Sequence, residues 1–250
     1  MNDDEDNPLS GYDFLNGAVL LVDKPQGWTS FDVVNKIRYK LKHYLHTSKI
    51  KVGHAGTLDP MATGLLIICT GKYTKKLAEF QQYPKEYTGT LVLGAATPSF
   101  DAETEIEETF PIDHITPELL DAARQRFIGD LDQVPPIFSA IKVDGQPLYK
   151  KARKGERVEI EPRKVHIAAF ELTRVELPEV DFRVACSKGT YIRSLAHDFG
   201  QALDSGAYLS ALRRTQVGPF SIQKAWDLEH LIDGLEALMP RAELQESKDS

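Results

Sequence analysis

The chain is poor in the features that would make it a secreted, membrane-spanning or metal-binding protein. It has two cysteines in 250 residues, Cys69 and Cys186, far apart in sequence and each within an apolar stretch. That usage fits buried free thiols in a reducing compartment and argues against a disulfide framework. Its seven histidines are scattered without ligand spacing, so no metal site is expected. No apolar run reaches the roughly 18 residues of a membrane span. The N-terminus is acidic and unlike a signal peptide. A cytoplasmic protein without membrane contact is the expectation.

Positive charge is also missing, but only in places. The formal net charge of −7 speaks against a polyanionic partner until its distribution is read. Residues 1–16 hold five acids and residues 101–121 hold eight, both without Lys or Arg, and residues 227–250 hold seven acids against Arg241 and Lys248. Those segments carry −18, which leaves +11 on the rest of the chain. Lys142, Lys150, Lys151, Arg153, Lys154, Arg157, Arg163 and Lys164 fall within one short span. Such a cluster can neutralise phosphates. With Glu156, Glu159 and Glu161 interspersed, it serves equally well as a solvated face. Composition permits an RNA partner without demonstrating one.

A hydrophobic content of 42% suffices for one sizeable core, or for a large domain with a small appendage. Residues 1–16 read as disordered or loosely attached. Strands are expected over 17–22, the apolar run 65–69, 87–93, 137–143, 157–160, 165–172 and 180–186. The strand over 137–143 should end in the turn pair Asp144-Gly145. Ser30 can cap a helix whose apolar face is Val33, Val34, Ile37 and Leu41. Further helices are expected over 72–80, from the Thr116-Pro117 start onward, and over 148–154 with Gly155 as its C′ residue. Thr190 opens another, with Ile192, Leu195, Ala196, Phe199 and Leu203 on one face. The last spans 228–238, with Gly234 as a possible break. The acidic stretch 101–110 reads as a loop. Strands and helices do not alternate one for one, which disfavours a doubly wound parallel sheet. A mixed α+β fold with much antiparallel pairing fits better.

The most informative segment is Gly53-His54-Ala55-Gly56-Thr57-Leu58-Asp59-Pro60-Met61-Ala62-Thr63-Gly64. Its glycines permit positive φ and close backbone approach, and Pro60 biases Asp59 out of the α region. A carboxylate on such a loop, braced by the apolar run that follows, is where a nucleophile or general base is often mounted. The commoner role of an Asp-Pro, glycine-rich segment is simply to turn the chain. Residue pattern alone leaves both readings open.

The segment resembles the catalytic loop of the tRNA pseudouridine synthase B family, G-H-x-G-x-L-D-P-x-A-x-G. Other blocks resemble that family in the same order. Residues 20–27, Leu-Leu-Val-Asp-Lys-Pro-Gln-Gly, look like its N-terminal strand and Lys24-Pro25 loop. Lys85-Glu86-Tyr87, with Gly94 and residues 97–101, looks like its tyrosine strand and acidic loop. Residues 134–142, followed by Gly145 and Leu148-Tyr149, are similar to its P-P-x-[YF]-S-A-[LI]-K block. Residues 189–195 (Gly-Thr-Tyr-Ile-Arg-Ser-Leu) and Leu212-Arg213-Arg214-Thr215, with Gly218 and Phe220, match its last two motifs. The resemblance covers about residues 17–226, nearly the whole chain.

This resemblance implies a pseudouridine synthase-like α+β fold, a mixed and largely antiparallel central sheet flanked by helices and loops. It implies an isomerase that converts the T-loop uridine of tRNA, position 55 by convention, to pseudouridine. The base must leave its stack first, and neither cofactor nor metal is required. Asp59 is implied as the essential carboxylate, by attack at ribose C1′, through a glycal-type path or by addition to C6. Arg193 is implied as the guanidinium that keeps it ionised, although phosphate contact or surface pairing is the ordinary role of such an arginine. Tyr87 would stack under the base, although a strand tyrosine more often packs in a core. Tyr191 would orient the carboxylate, and Leu212 would lie against the flipped uracil unless it is a core leucine. His54 would wedge into the gap left by the extruded nucleotide, unless it is a satisfied turn histidine. Lys24 and Pro25 would buttress the loop. The expected partner is the T arm of tRNA, bound by a monomer with no obligatory protein partner. Residues 227–250 form a short acidic helix and tail where the family usually carries an RNA-binding module. Three other readings compete: an RNA-binding or tRNA-folding module, the catalytic subunit of a guide-RNA particle, and a carboxylate-pair hydrolase.

Overall fold

A computed structural model describes residues 7–139, 142–143, 146–147 and 160–238. In chain order the first elements are β1 (Val19–Lys24), α1 (Ser30–Tyr44), β2 (Val52–His54), β3 (Thr63–Thr70), α2 (Leu77–Phe80) and β4 (Lys85–Leu93). There follow β5 (Ala95–Ala96), β6 (Glu108–Thr109), α3 (Pro117–Gln125), β7 (Gly129–Gln133), β8 (Lys142–Val143) and β9 (Gln146–Pro147). The chain continues through β10 (Arg163–Glu176), β11 (Glu179–Cys186), α4 (Ile192–Ala202), β12 (Ala207–Val217), β13 (Phe220–Ser221), β14 (Trp226–Asp227) and α5 (Leu228–Ala237). Most strand pairs are antiparallel, and β1 pairs β14 in parallel. The fold is therefore the mixed α+β class expected. Two compact units divide the chain: Met1–Tyr83 with Arg214–Ser250, and Pro84–Arg213.

In the first unit β1 and β2 both pair antiparallel with β3. Strand β3 is buried on both faces, which is why its sequence is an unbroken apolar run rather than an alternation. Leu66 and Ile68 join Leu20 and Val22 against Val33, Val34, Ile37 and Leu41 of α1 and Leu228, Leu231, Ile232 and Leu235 of α5. Leu65, Ile67 and Cys69 pack on the other side with Ala55, Phe80 and Val217. Each such leucine or isoleucine contributes about 1.5–3 kcal/mol on full burial, so β3 is a firm mount for the loop that precedes it.

Several details of this unit correct the sequence reading. Leu9 and Phe14 belong to the first core, so residues 7–16 are not loosely attached. The cap of α1 is Thr29 rather than Ser30: its side chain accepts from Asp32 N, and the Asp32 carboxylate accepts from Thr29 N in a reciprocal capping box. The helix expected over 72–80 is a 3-10 turn, Gly71–Lys76, followed by the single turn α2. Gly234 does not break α5. A Cβ there would lie 2.9 Å from Leu9 Cδ1, so the missing side chain makes room for the N-terminal segment.

In the second unit β4, β11, β10 and β7 pair antiparallel in that order. Phe170 meets Phe182 and Phe199 edge-on, and Phe127 meets Phe199 likewise, which fixes α4 on this sheet. Thr116 caps α3 and Pro117 occupies its first turn, as expected. Residues 129–133 and 207–217 had no sequence assignment, and both are strands. Residues 137–139 are not strand; β8 and β9 pair antiparallel on either side of Asp144-Gly145. The expected turn there lies outside the described residues, as do the helix over 148–154 with Gly155 and most of the strand over 157–160. Of the basic cluster, Lys150, Lys151, Arg153, Lys154 and Arg157 fall outside as well, while Arg163 and Lys164 are exposed on β10.

Candidate active site

Asp59 and His54 belong to the first unit; Tyr87, Tyr191, Arg193 and Leu212 belong to the second. In the first unit the loop between β2 and β3 is pinned through its backbone. Arg214, 1% exposed, donates through Nε to Leu65 O at 2.8 Å and through Nη2 to Gly56 O at 3.0 Å, with Nη1 3.5 Å from Thr57 O. Ser30 Oγ, freed from capping, accepts from Leu58 N at 2.9 Å and donates to Leu58 O at 3.2 Å. Gly27 N donates to Pro60 O at 2.8 Å. Lys24, fully buried at the end of β1, donates to Trp28 O at 2.6 Å and Pro25 O at 2.9 Å, with Pro60 O at 3.4 Å. Lys24 and Gly27 thus brace the loop through Pro60 O, while Pro25 contributes the carbonyl that accepts from Lys24.

Gly64 completes the frame. It adopts φ +103°, and a Cβ on it would sit 2.3 Å from Arg214 O, so only glycine allows β3 to start against β12. Asp59 O accepts from Ala62 N at 3.1 Å, closing a tight turn that presents the partly buried Asp59 side chain. The result is a carboxylate carried on backbone whose carbonyls at 56, 57, 58 and 60 already have donors. That preorganisation suits a group that must act in one geometry. Burial is the main cause holding the His54 imidazole below its ordinary pKa, opposed by the Gly56 backbone and helped by Arg214. A neutral ring at neutral pH is suited to stacking rather than to phosphate contact.

In the second unit Arg193 lies in the first turn of α4, 5% exposed. Its Nη2 donates to Phe138 O at 2.8 Å and its Nη1 to Ser99 O at 3.2 Å, while Nε stands 3.5 Å from Asp101 Oδ2. Asp101 is fully buried and accepts from Ser99 Oγ at 2.5 Å and Glu103 N at 3.0 Å. The first acid of the stretch read as an acidic loop is therefore an interior counter-charge. Phe100 beside it takes φ +63° and stacks on His197 at 4.0 Å. A left-handed phenylalanine stores strain, which the surrounding bonds of residues 97–104 offset. Within this unit Arg193 is neither a surface cation nor a mobile one.

Tyr191 is the N-cap of α4. Its backbone N donates to Gln133 Oε1 at 2.8 Å, and its O accepts from Gln133 Nε2 at 3.0 Å. Ser194 Oγ donates to Val134 O at 2.7 Å, so the start of α4 and the 133–138 segment are locked together. Tyr87 is buried on β4 opposite Val184 of β11. Leu212 is buried on β12, one residue beyond Ala211, whose carbonyl comes so near Gly89 that a Cβ there would lie 2.4 Å away. Both thiols are free, and burial pushes Cys69 and Cys186 up to about 11, so neither is a nucleophile at neutral pH.

Four positions escaped the sequence reading: Ser30 as a loop brace, Asp101, Gln133 and Arg214. Arg214 stands two residues from Leu212, and the two share a face only once 207–217 is known to be a strand.

Comparison with known proteins agrees with these motifs. The family model described as TruB family pseudouridylate synthase (N terminal domain) matches residues 42–192, and that described as tRNA pseudouridylate synthase B C-terminal domain matches 193–245. The tRNA pseudouridine synthase B of Flavobacterium johnsoniae is 58% identical over 217 residues, covering 86% of this chain and 95% of the relative. That of Bacteroides thetaiotaomicron is 48% identical over 241 residues, covering 95% and 99%. Among solved structures, a chain of a Cbf5-Nop10-Gar1 complex superposes with TM-score 0.66 at 31% identity, covering 92% of this chain and 57% of that one. A chain of an H/ACA RNP bound to a substrate RNA containing 2'-deoxyuridine superposes with TM-score 0.62 at 27% identity, covering 93% and 59%. This chain thus spans less than two thirds of the length of those structural neighbours. On the strength of the match over residues 42–192 and of these relatives, the chain belongs to the TruB family of pseudouridylate synthases.

Proposed function

We propose that the chain isomerises the T-loop uridine of tRNA, position 55 by convention, to pseudouridine, with Asp59 as the reacting carboxylate. The observation that carries this reading is the Asp59 loop, whose backbone is held by Arg214, Ser30, Gly27 and Lys24 while the side chain it presents stays partly accessible. Relatives named tRNA pseudouridine synthase B, matched over 95% or more of their own length, support the substrate.

The reaction breaks the C1′–N1 bond, forms C1′–C5 and moves a proton from C5 to N1, so atoms and electrons balance within the nucleotide. No redox partner enters. The base must swing out of its stack before a side chain reaches the glycosidic bond. Asp59 acts at the sugar–base junction as nucleophile or base, and Arg193 supplies the positive charge that keeps a desolvated carboxylate ionised. Tyr87 offers a ring for stacking on the uracil, worth about 1–3 kcal/mol per base. Leu212 excludes water, Tyr191 orients the carboxylate, and His54 fills the gap in the RNA. Residues 17–226 form the catalytic domain, and α5 (Leu228–Ala237) follows it. The enzyme acts as a monomer in the cytoplasm, on the T arm, without cofactor, metal or guide RNA.

The test is to incubate purified protein with unmodified tRNA transcript, adding neither guide RNA nor cofactor, and to map pseudouridine along it. One modified site in the T loop is expected. No pseudouridine, or pseudouridine only after a guide RNA is added, contradicts the reading.

A further inference from the structure

From Val33 to Ala78 the chain carries nine Lys or Arg residues and a single acid, which is Asp59 itself. That stretch has a formal charge of +8 in a chain of −7, so all other residues together carry −15. An acidic protein that must hold a polyanion needs its cations gathered on one surface, because the remainder repels phosphate.

Within the first unit the fold gathers them. Arg38 of α1 donates through Nη2 to Val52 O at 2.8 Å. Gly71 N donates to Lys51 O at 2.8 Å, which brings the 3-10 turn Gly71–Lys76 alongside. A Cβ on Gly53 would lie 2.8 Å from Leu77 Cδ1. Residues 49–52 and the turn therefore meet along β2, an edge strand that pairs with β3 alone among the described residues. Lys49, Lys51, Lys75 and Lys76 are exposed there, and none forms an ion pair with a carboxylate among the described residues. Lys76 instead lies 4.0 Å from the ring centroid of the exposed Tyr73. Two neighbouring cations are already engaged: Lys40 pairs with Glu236, and Lys72 donates to Asn16 Oδ1 near Asp13.

We propose that this lysine ledge binds the phosphate backbone of the tRNA whose uridine is modified, an inference that rests on the function proposed above. Strand β2 runs from the ledge to His54, five residues before Asp59, so a strand of RNA held on these lysines leads to the reacting carboxylate. Lysines are flexible point charges, which suits them to phosphates read without sequence preference. Long-stemmed ammonium groups with no carboxylate partner are the groups that release counterions on RNA binding.

The variant Lys49→Ala/Lys51→Ala/Lys75→Ala/Lys76→Ala tests the ledge. Affinity for tRNA is measured across a salt series, with single-turnover pseudouridine formation at saturating tRNA and thermal unfolding as a fold check. The plot of log affinity against log salt should flatten by about 0.7–0.9 for each phosphate no longer neutralised, about 3 for all four. Affinity at low salt should fall tenfold or more while the saturated rate and the unfolding temperature hold. A matched variant, Arg126→Ala/Lys224→Ala, removes exposed charges elsewhere and should leave the slope as it was. An unchanged slope in the quadruple variant, or an equal change per charge in the matched one, overturns the ledge. If wild-type protein forms no pseudouridine in tRNA, the function proposed above fails; if it does and the slope is unmoved, the ledge alone fails.

Discussion

Replacing Arg214 by methionine keeps most of the side-chain volume and removes the guanidinium that spans the Asp59 loop. The bonds to Leu65 O at 2.8 Å and Gly56 O at 3.0 Å are well-formed and charge-assisted, about 1.5–3 kcal/mol each. The 3.5 Å contact with Thr57 O adds little. Methionine also avoids the cost of burying a charge, which is several kcal/mol, so the net destabilisation is about 2–4 kcal/mol rather than the full sum. The larger effect falls on chemistry. With Gly56 and Leu65 unpinned the loop can drift, and a displacement of about 1 Å at a reacting group costs about 10²-fold in rate. Urea unfolding measures the first effect and single-turnover pseudouridine formation the second, with tRNA affinity as the control. The expected variant is folded, less stable by that amount, slower by about two orders of magnitude and within about threefold of wild type in binding. A variant that keeps wild-type stability and rate would refute the claim that Arg214 holds the loop.

Two more substitutions probe the second unit. Asp101→Ala removes a buried counter-charge 3.5 Å from the Arg193 guanidinium and should cost about 3–5 kcal/mol of stability by urea unfolding, because one side of a buried ion pair is lost. Adding Arg193→Met should recover part of that loss; a double variant no more stable than Asp101→Ala would show the pair is not coupled. Asp198 concerns pH. Burial lifts its carboxyl from 3.8 to about 6, so the folded state binds more protons than the unfolded state between those values. Asp198 therefore lowers stability as pH rises through about 6, and Asp198→Asn should be the more stable protein above that pH and equal to wild type below about 4. After discounting for partial exposure the gain is about 1 kcal/mol. A thermal-melt difference that does not change between pH 4 and 8 would contradict it.

Local signals carried the parts of the fold that depend on neighbours in sequence. The unbroken run of β3, the apolar stripe of α1 and the Thr116-Pro117 start of α3 each state their own burial or boundary. Strand β12 does not, because its buried positions 207, 209, 212, 214 and 217 break the period of two twice. That irregularity hid both the strand and the burial of Arg214. Ser30 and Thr29 are adjacent hydroxyl residues, and only tertiary contact with Leu58 decides which of them caps the helix. Asp101 belongs to a stretch of acids that all look solvated, and its burial follows from Arg193, 92 residues away in the chain. Gln133 shows the same limit, since its two bonds to the Tyr191 backbone join segments that nothing in either one pairs. The motif blocks located the candidate site residues through family resemblance; what holds them in place is a set of long-range backbone contacts that no motif records.

The most direct measurement pairs two readouts on Asp59→Asn, a substitution that removes charge and nucleophilicity while preserving shape. With wild-type tRNA affinity retained, pseudouridine at the T-loop position should fall below detection even after prolonged single-turnover incubation. Continued conversion of that uridine by the D59N variant at a rate near wild type would contradict the account.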